Sequence, residues 1–419
     1  MSETASETAA SDSVLIRPGD VADLPPPSFG ESGRRGRSRR VVAARDLIIR
    51  SLVPVILALI AGGVLLAILG RDPFTFYSNI WQAGIQQGSW EDSAMRAAPL
   101  LLIGVGLTIV FRANIWNLGY DGQFLIGAAL ICGIAPHIAG APTVVSLVLL
   151  SLIATAAGAA WTIIPAFLKA RYETNEIITT LMMSFIGVGV ANLLVKGPFQ
   201  DPTVNIPQTK VISIDRMLPS IPGTRIHVGV LVALAAAFVA AFVLKRTAFG
   251  LRLHVLGANP RAAAHVGLNV RRLIVMAFLV SGALVGVAAA VDILGVWGYM
   301  RANWNPGYGD TVIPFVFLAR LNPLALIPYI AFFAVLSTGG DIAAANANLP
   351  TDFLLVLVAL ILLFMTVIEY VGRKRDLGGS YLTPGLRKAL RSPLRRRRAE
   401  EEAGRSEDKT VTAEDKAVT

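Results

Sequence analysis

Apolar residues along this chain come in runs whose lengths match a bilayer, not in the half-apolar stripes of water-soluble helices. The runs cover residues 51–69, 97–111, 122–135, 143–168, 177–195, 227–244, 273–291, 311–319, 323–337 and 353–368. Most are apolar all round, so each must face lipid or another apolar segment on every side. The pattern predicts an all-α polytopic membrane protein with about ten transmembrane segments. Residues 97–111 and 122–135 are short and glycine-rich. Residues 311–319 are too short to cross as a straight helix. They predict a half-helix packed against protein and extended by the segment before it.

The polar remainder sets the topology. Basic residues gather at 34–50, at Arg112, Lys169 and Arg171, at 245–272, at Arg320, and at 373–375 with the segment that follows. The alternate connections, 136–142 and 338–352, have no Lys or Arg, and the long 196–225 connection has four. Cytoplasmic loops carry the excess of Lys and Arg, so the alternation places both termini inside and agrees with ten crossings. The proline-rich 196–225 loop then lies outside. Residues 1–46 are rich in Ser, Glu, Ala, Pro and Gly and then basic, and 372–419 are basic and then mixed. Both are expected to be disordered cytoplasmic tails flanking a membrane domain at 47–371.

Composition narrows the function. Of 419 residues, 54% are hydrophobic and 16% charged, against about a quarter charged in soluble domains. The mean hydropathy is +0.60. The net charge of +10 sits in tails and short loops with no interleaved aromatics, which argues against nucleic acid. One cysteine, Cys132, and four scattered histidines give no intrachain disulfide and no metal-ligand spacing. No phosphate-binding Gly-x-x-x-x-Gly-Lys-Ser/Thr loop occurs, so no ATP site of that kind is expected, and no nucleophile elbow or His-Glu-x-x-His pattern points to catalysis.

Three polar constellations remain. The first is Phe111-Arg-Ala-Asn-Ile-Trp-Asn-Leu-Gly-Tyr-Asp-Gly-Gln123. Asn114, Asn117, Asp121 and Gln123 would be costly in lipid, and Gly119 and Gly122 allow a tight turn. Broken backbone there fits a gate or pathway lining at the inner end of a translocation route. The second leads into the 177–195 run. Asn175 and Glu176 stand at its start, where a carboxylate complements a helix N-terminus, and Thr179 and Thr180 form a polar stripe one turn inside. The third is the inner loop at 245–272. Asn259 is a helix cap, Pro260 suits the first helical position, and Ala262, Ala263 and Ala264 favour helix. Gly257 and Gly267 are expected to flank that short helix as breaks. With Gly250 and Arg252 it forms a compact basic element suited to docking into a partner's groove.

The three constellations carry a resemblance. Residues 111–127 resemble the Phe-Arg-Ala-Gly-x-x-Asn-Ile-Gly-x-Glu-Gly-Gln motif of bacterial ABC permeases of the branched-chain amino acid, ribose and nucleoside importer superfamily. The Asn-Glu-Ile-Ile-Thr-Thr-Leu-Met run from Asn175 is similar to its Asn-Glu-Val-Ile-x-Thr-Ile-Met motif. Gly250-Leu-Arg through Gly267-Leu-Asn matches its cytoplasmic loop, and Ser281-Gly-Ala-Leu its following Ser-Gly-Ala. The chain departs from the pattern at Asn114, where Gly is usual, and at Tyr120 and Asp121.

The simple-sugar and nucleoside group is the nearest match. The resemblance implies a fold similar to type II importers and a permease subunit without catalytic residues or cofactors of its own. It implies four associations: a second, different permease, cytoplasmic ABC ATPases that bind ATP, an extracytoplasmic substrate-binding lipoprotein, and the bilayer of a bacterial plasma membrane. Two other readings stay open. One is a branched-chain amino acid permease. The other is an ion-coupled secondary transporter, for which Asp292, Asp310 and Asp341 are the candidate ion-site carboxylates.

Overall fold

The computed structural model describes residues 52–350 and 353–376. Of the tails expected at 1–46 and 372–419, all but residues 372–376 lie outside these residues. The last helix runs on to Asp376, past the boundary expected at 372. Among the described residues helices are the only extended regular elements. Seven helices are long and apolar enough to cross a membrane, and the shorter apolar helices Leu52–Ile68, Tyr308–Leu318 and Phe353–Ile368 match the other three segments read from the sequence.

The helices follow in order as α1 (Leu52–Ile68), α2 (Pro73–Ile85), α3 (Ser89–Arg112), α4 (Tyr120–Ile134) and α5 (Thr143–Trp161). Next come α6 (Ile163–Tyr172), α7 (Glu176–Lys196), α8 (Gly229–Arg246), α9 (Ala248–Ala258) and α10 (Pro260–His265). The last are α11 (Val270–Asp292), α12 (Tyr308–Leu318), α13 (Pro323–Asn346) and α14 (Phe353–Asp376).

Local chemistry explains many boundaries. Asp72, Asn175, Asn259, Asn269 and Asn322 each accept backbone N–H bonds as N-caps of α2, α7, α10, α11 and α13. Proline follows the cap at Pro73, Pro260 and Pro323, where the missing N–H costs nothing. Asn114 closes α3 in the left-handed region at φ 56°. Its N–H reaches the Phe111 carbonyl, and the Ile115 N–H reaches Val110. That is the double bond of a glycine-type helix stop, and asparagine is the side chain that best replaces glycine in it.

Two elements differ from the sequence reading. Helix α2 was not expected. It buries Phe76, Ile80 and Gly84 on one face, against α13, where a side chain on Gly339 would strike the Ile80 carbonyl at 2.1 Å. Helix α3 begins at Ser89 and not at 97, because Glu91 and Asp92 form a polar first turn that complements the helix N-terminus.

One end of the bundle is basic. It gathers Arg112 at the end of α3, Lys169 and Arg171 in the last turn of α6, and Lys245 and Arg246 in the last turn of α8. Helix α11 rises from this end through the centre, with Ser281, Gly282, Val285, Gly286 and Ala289 buried. At the opposite end, Arg225 bonds Glu91 at 2.9 Å and Asp92 at 3.3 Å. The 197–228 segment there is irregular, with one 3-10 turn at Ile214–Arg216 and bridges Gln200–Thr209, Gln208–Arg301 and Ser220–His227.

Helices α5 and α11 meet backbone to backbone. A Cβ on Gly158 would lie 2.3 Å from the Gly282 carbonyl, and one on Gly286 would lie 2.1 Å from the Ala154 carbonyl. Ala154 and Gly158, like Gly282 and Gly286, are four residues apart and share a face, the small-residue spacing that packs helices tightly in lipid. Over-packing a fitted interface typically costs about 1–3 kcal/mol. Gly158→Leu and Gly286→Leu are therefore expected to lower the thermal midpoint of the detergent-solubilised protein and the yield of monodisperse material. Gly189→Ala, on α7 with open space around it, is expected to leave both unchanged. Equal midpoints for all three would remove this crossing from the stabilising core.

Candidate functional site: a polar junction at half depth and a basic hairpin

The polar motif after α3 does not stay at the basic end. Residues 113–119 leave α3 and turn back into the bundle. Asn117 donates to the Ser281 hydroxyl at 3.1 Å. Ser281 stands eleven residues beyond Val270 on α11, about 16 Å from the basic end at 1.5 Å per residue. That is about half of a 30 Å hydrocarbon core. By this measure the segment is re-entrant: it turns from the end of α3 back into the bundle, and α4 begins inside it.

Helix α12 provides a second measure. It has 11 residues, about 16 Å, and its Phe317 stacks on Phe111 at 5.2 Å near the basic end. Its first turn therefore also lies near mid-depth. Residues 299–307 enter from the opposite end, held by Asn192 and Lys196 of α7 at Asn303. The half-helix expected at 311–319 is present, and its extension is an irregular entering strand of chain.

The two half-helices meet first turn to first turn. Tyr120 donates to Asp310, and Asn305 donates to Asp121 at 3.1 Å. Asn305 and Asp310 are exposed and Asp121 is half-buried. These groups lie at a depth where a lipid-facing carboxylate is costly, so they face water or protein.

Asn117 and Gln123 are placed differently. They are 0% and 1% exposed. Gln123 donates to the Asn117 carbonyl oxygen at 2.9 Å, and the Asn117 amide faces the Gln123 carbonyl at 3.3 Å. In this conformation they are locked to each other and do not line an opening. Asn114 is exposed and acts as the stop of α3.

The second constellation packs against the first. Leu118 N–H donates to the Thr180 hydroxyl at 3.0 Å, and Thr180 donates to the Glu176 carbonyl at 2.6 Å. Glu176 pairs with Lys169 at 2.7 Å. Asn175 is the N-cap, and Thr179 bonds the Asn175 carbonyl. Gly122 reaches the same helix through Ser184, and a Cβ on Gly187 would lie 2.5 Å from the Gly122 Cα. Thr180 thus belongs to the junction's scaffold.

The third constellation is a helical hairpin at the basic end. Asn259 Oδ1 accepts from Arg261 at 3.0 Å and Ala262 at 3.1 Å, which makes the expected cap. Gly267, at φ +81°, is the expected break. Gly257 is not a break: it lies inside α9, where a Cβ would strike the Arg112 carbonyl at 2.3 Å. Gly250 needs its small size against the Leu244 carbonyl at 2.4 Å. Leu253, Leu256 and Ala263 are buried, while Leu251, Arg252, Arg261 and Val266 are exposed. The hairpin presents an apolar and basic outer face while resting on the last carbonyl of α3.

The sequence reading missed Asn305, Asp310 as a partner of Tyr120, and Ser281 as the anchor of Asn117. The Ser-Gly-Ala run was visible, but nothing in the spacing linked position 281 to 117.

Comparison with known proteins agrees with this architecture. Residues 89–366 match the model of the branched-chain amino acid transport system permease component family. The chain is 32% identical to a glucose ABC transporter permease protein of Haloferax volcanii, over 80% of this chain and 92% of that one. It is 27% identical to a guanosine ABC transporter permease protein of Bacillus subtilis, over 75% and 91%. It is 24% identical to a nucleoside ABC transporter permease protein of Lactococcus lactis, over 75% and 90%. The chain belongs to the branched-chain amino acid transport system permease family, as a multi-pass membrane permease subunit of an ABC transporter and not an enzyme.

Proposed function

We propose that this chain carries a neutral, hydroxyl-rich solute, a simple sugar or nucleoside, into the cell through an ATP-driven importer. The observation that carries the reading is the meeting of α4 and α12 at half depth. Half-helix N-termini in a membrane bear partial positive charge and ordinarily favour anions. Here Asp121 and Asp310 occupy the first turns and offset that charge. What remains is a set of carboxylates, an amide and a phenol, groups suited to hydroxyls. The glucose, guanosine and nucleoside permeases among the relatives point the same way. The aliphatic side chain of a branched-chain amino acid would find no apolar partner among these carboxylates and this amide.

The partners follow from the same reading. The basic end is cytoplasmic, in a bacterial plasma membrane, and the α9–α10 hairpin docks on a cytoplasmic ATPase that binds the ATP. A second permease pairs with this chain as a heterodimer, and a substrate-binding lipoprotein delivers solute to the opposite face. The link between hairpin and junction is short. Gly257 bears on the Arg112 carbonyl, and Asn117 stands five residues further along the chain. Motion of the hairpin therefore acts directly on the re-entrant segment.

ATP-dependent uptake in vesicles holding the complete transporter, retained when the proton gradient is collapsed, tests the importer reading against the ion-coupled one. Asp121→Asn and Asp310→Asn are each expected to lower uptake about tenfold or more, the scale of one hydrogen bond to a charged group, at unchanged membrane abundance. In a Cys132→Ser background, Asn305→Cys and Asp310→Cys are expected to react with a small polar thiol reagent, whereas Asn117→Cys stays protected without nucleotide. Normal uptake by both carboxylate variants would dismiss the junction as the path.

A separate prediction concerns the hairpin. Gly257→Leu is expected to displace α9 from the end of α3, and Asn259→Ala to fray α10 at a cost of about 1 kcal/mol. Both should leave the chain in the membrane and the ATPase active while uncoupling hydrolysis from uptake, measured as phosphate released per solute imported. An unchanged ratio would show that another element receives the ATPase stroke.

A further inference from the structure

A cavity of about 330 Å³ opens at the end of the bundle opposite the basic one, between the first turns of α3, the end of α11 and the last turns of α13. Its size falls in the range of about 300–1,000 Å³ typical of small-ligand sites. Asp92, Arg96, Asp292, Trp297, Tyr308 and Asp341 are among its lining residues. It is not the half-depth junction, but the two adjoin: Tyr308 begins α12 two residues before Asp310.

The chemistry of the lining is specific. Asp292 is 2% exposed, and its carboxyl is met by the Tyr308 hydroxyl, at 3.3 Å to each oxygen, and by the Trp297 indole N–H, which holds that ring against the site. The Tyr308 contacts are long, and acceptor capacity remains on the carboxyl. Across the cavity Arg96 bonds Asp341 at 2.7 Å and Ser337 at 2.8 Å through one guanidinium nitrogen, so its other nitrogens remain available as donors. The buried Thr338 hydroxyl, also in the lining, has no hydrogen-bond partner among the described residues. Trp297 offers a large apolar face and is 38% exposed. The site therefore combines underused carboxyl acceptors, a guanidinium donor, a free hydroxyl and an aromatic platform. A ring bearing several hydroxyls on one edge and C–H bonds on its face meets all four. A simple anion would meet three carboxylates and one guanidinium. A cation would have to compete with Arg96.

We propose that this cavity is a binding site within the permease for a neutral sugar ring, free or as the ribose of a nucleoside, occupied before the solute reaches the half-depth junction. Asp292 and Asp341 accept from its hydroxyls, Arg96 and Thr338 donate, and Trp297 covers its face. The proposal rests on the sugar or nucleoside importer reading and adds a specific site to it.

The test uses the full chain with Cys132→Ser, in lipid nanodiscs, carrying Val296→Cys as a reporter. Val296 lines the cavity and is 45% exposed. Its modification by a small charged thiol reagent is timed in the presence of D-ribose, D-glucose or guanosine, with choline and gluconate as cation and anion controls. At least one of the three neutral probes is expected to slow labelling in a saturable way, and neither control should. Asp292→Asn, Trp297→Leu and, at the more exposed rim, Asp341→Asn are each expected to raise the half-protecting concentration about tenfold or more. Protection by choline alone would make this a cation site and overturn the proposal. So would the absence of protection by all three neutral probes, or protection unchanged in the three variants. ATP-driven uptake of the same three solutes by the complete transporter separates the two ideas. Uptake without protection sinks the cavity site and leaves the importer reading standing, whereas absence of uptake for all three sinks the importer reading itself.

Discussion

The contact on which the architecture turns is the crossing of α5 and α11 at Gly158, Gly282 and Gly286, where carbonyl groups stand where side chains would otherwise be. Lipid supplies no hydrophobic force between helices, so close approach and dispersion must hold them. Four-residue spacing of small side chains on both helices provides that approach. The crossing also fixes α11 as the axis of the bundle. Ser281, adjacent to Gly282, then projects its hydroxyl to Asn117, and a Cβ on Gly106 of α3 would lie 3.0 Å from its carbonyl. One short Ser-Gly run thus sets both the packing and the depth of the polar junction.

That junction meets a strict requirement. Irregular backbone inside a membrane must find hydrogen-bond partners within the protein. The re-entrant segment does so with side chains: Leu118 N–H goes to Thr180, Gly119 N–H to Asn117 and Gly122 N–H to Ser184. The polar side chains around the junction therefore divide into two groups. Asn117, Gln123, Thr180, Ser184 and Ser281 are buried and supply bonds that the broken backbone or its amides need. Asp121, Asn305 and Asp310 have capacity left over and are open to the exterior of the chain.

Sequence reasoning reached the helical class, the segment count, the Asn259 cap and the half-helix at 311–319, because each rests on local chemistry or run length. It missed what depends on tertiary placement. Helix α2 carries Thr, Ser, Asn and Gln among its apolar residues, so it makes no long apolar run, although Asp72-Pro73 is a legible start. Gly257 reads as a break beside Asn259-Pro260. Its true reason is the Arg112 carbonyl, which lies far away in sequence. The depth of 113–119 was hidden for the same reason: a polar loop between two apolar runs looks interfacial until Ser281 locates it.

The geometry also constrains how a cytoplasmic event reaches the junction. Between the Arg112 carbonyl, on which α9 rests, and Asn117 there are only four residues, and they include the left-handed Asn114. Directly after Asn117, the N–H groups of Leu118, Gly119 and Gly122 are committed to Thr180, Asn117 and Ser184, so the motif cannot absorb a displacement by bending freely. It must either hold or exchange those bonds together. Such an element has discrete arrangements, which is the physical requirement for coupling between distant sites. The Asn117–Gln123 amide pair suits that role, since each amide carries both a donor and an acceptor and can re-pair without leaving a buried group unsatisfied. The carboxylates at the two half-helix starts would then change their separation as the segment moves, because Tyr120 and Asp121 follow Gly119 directly while Asn305 and Asp310 belong to the opposing chain segment. The glycines at 119 and 122 keep this motion compatible with α7, whose backbone they touch.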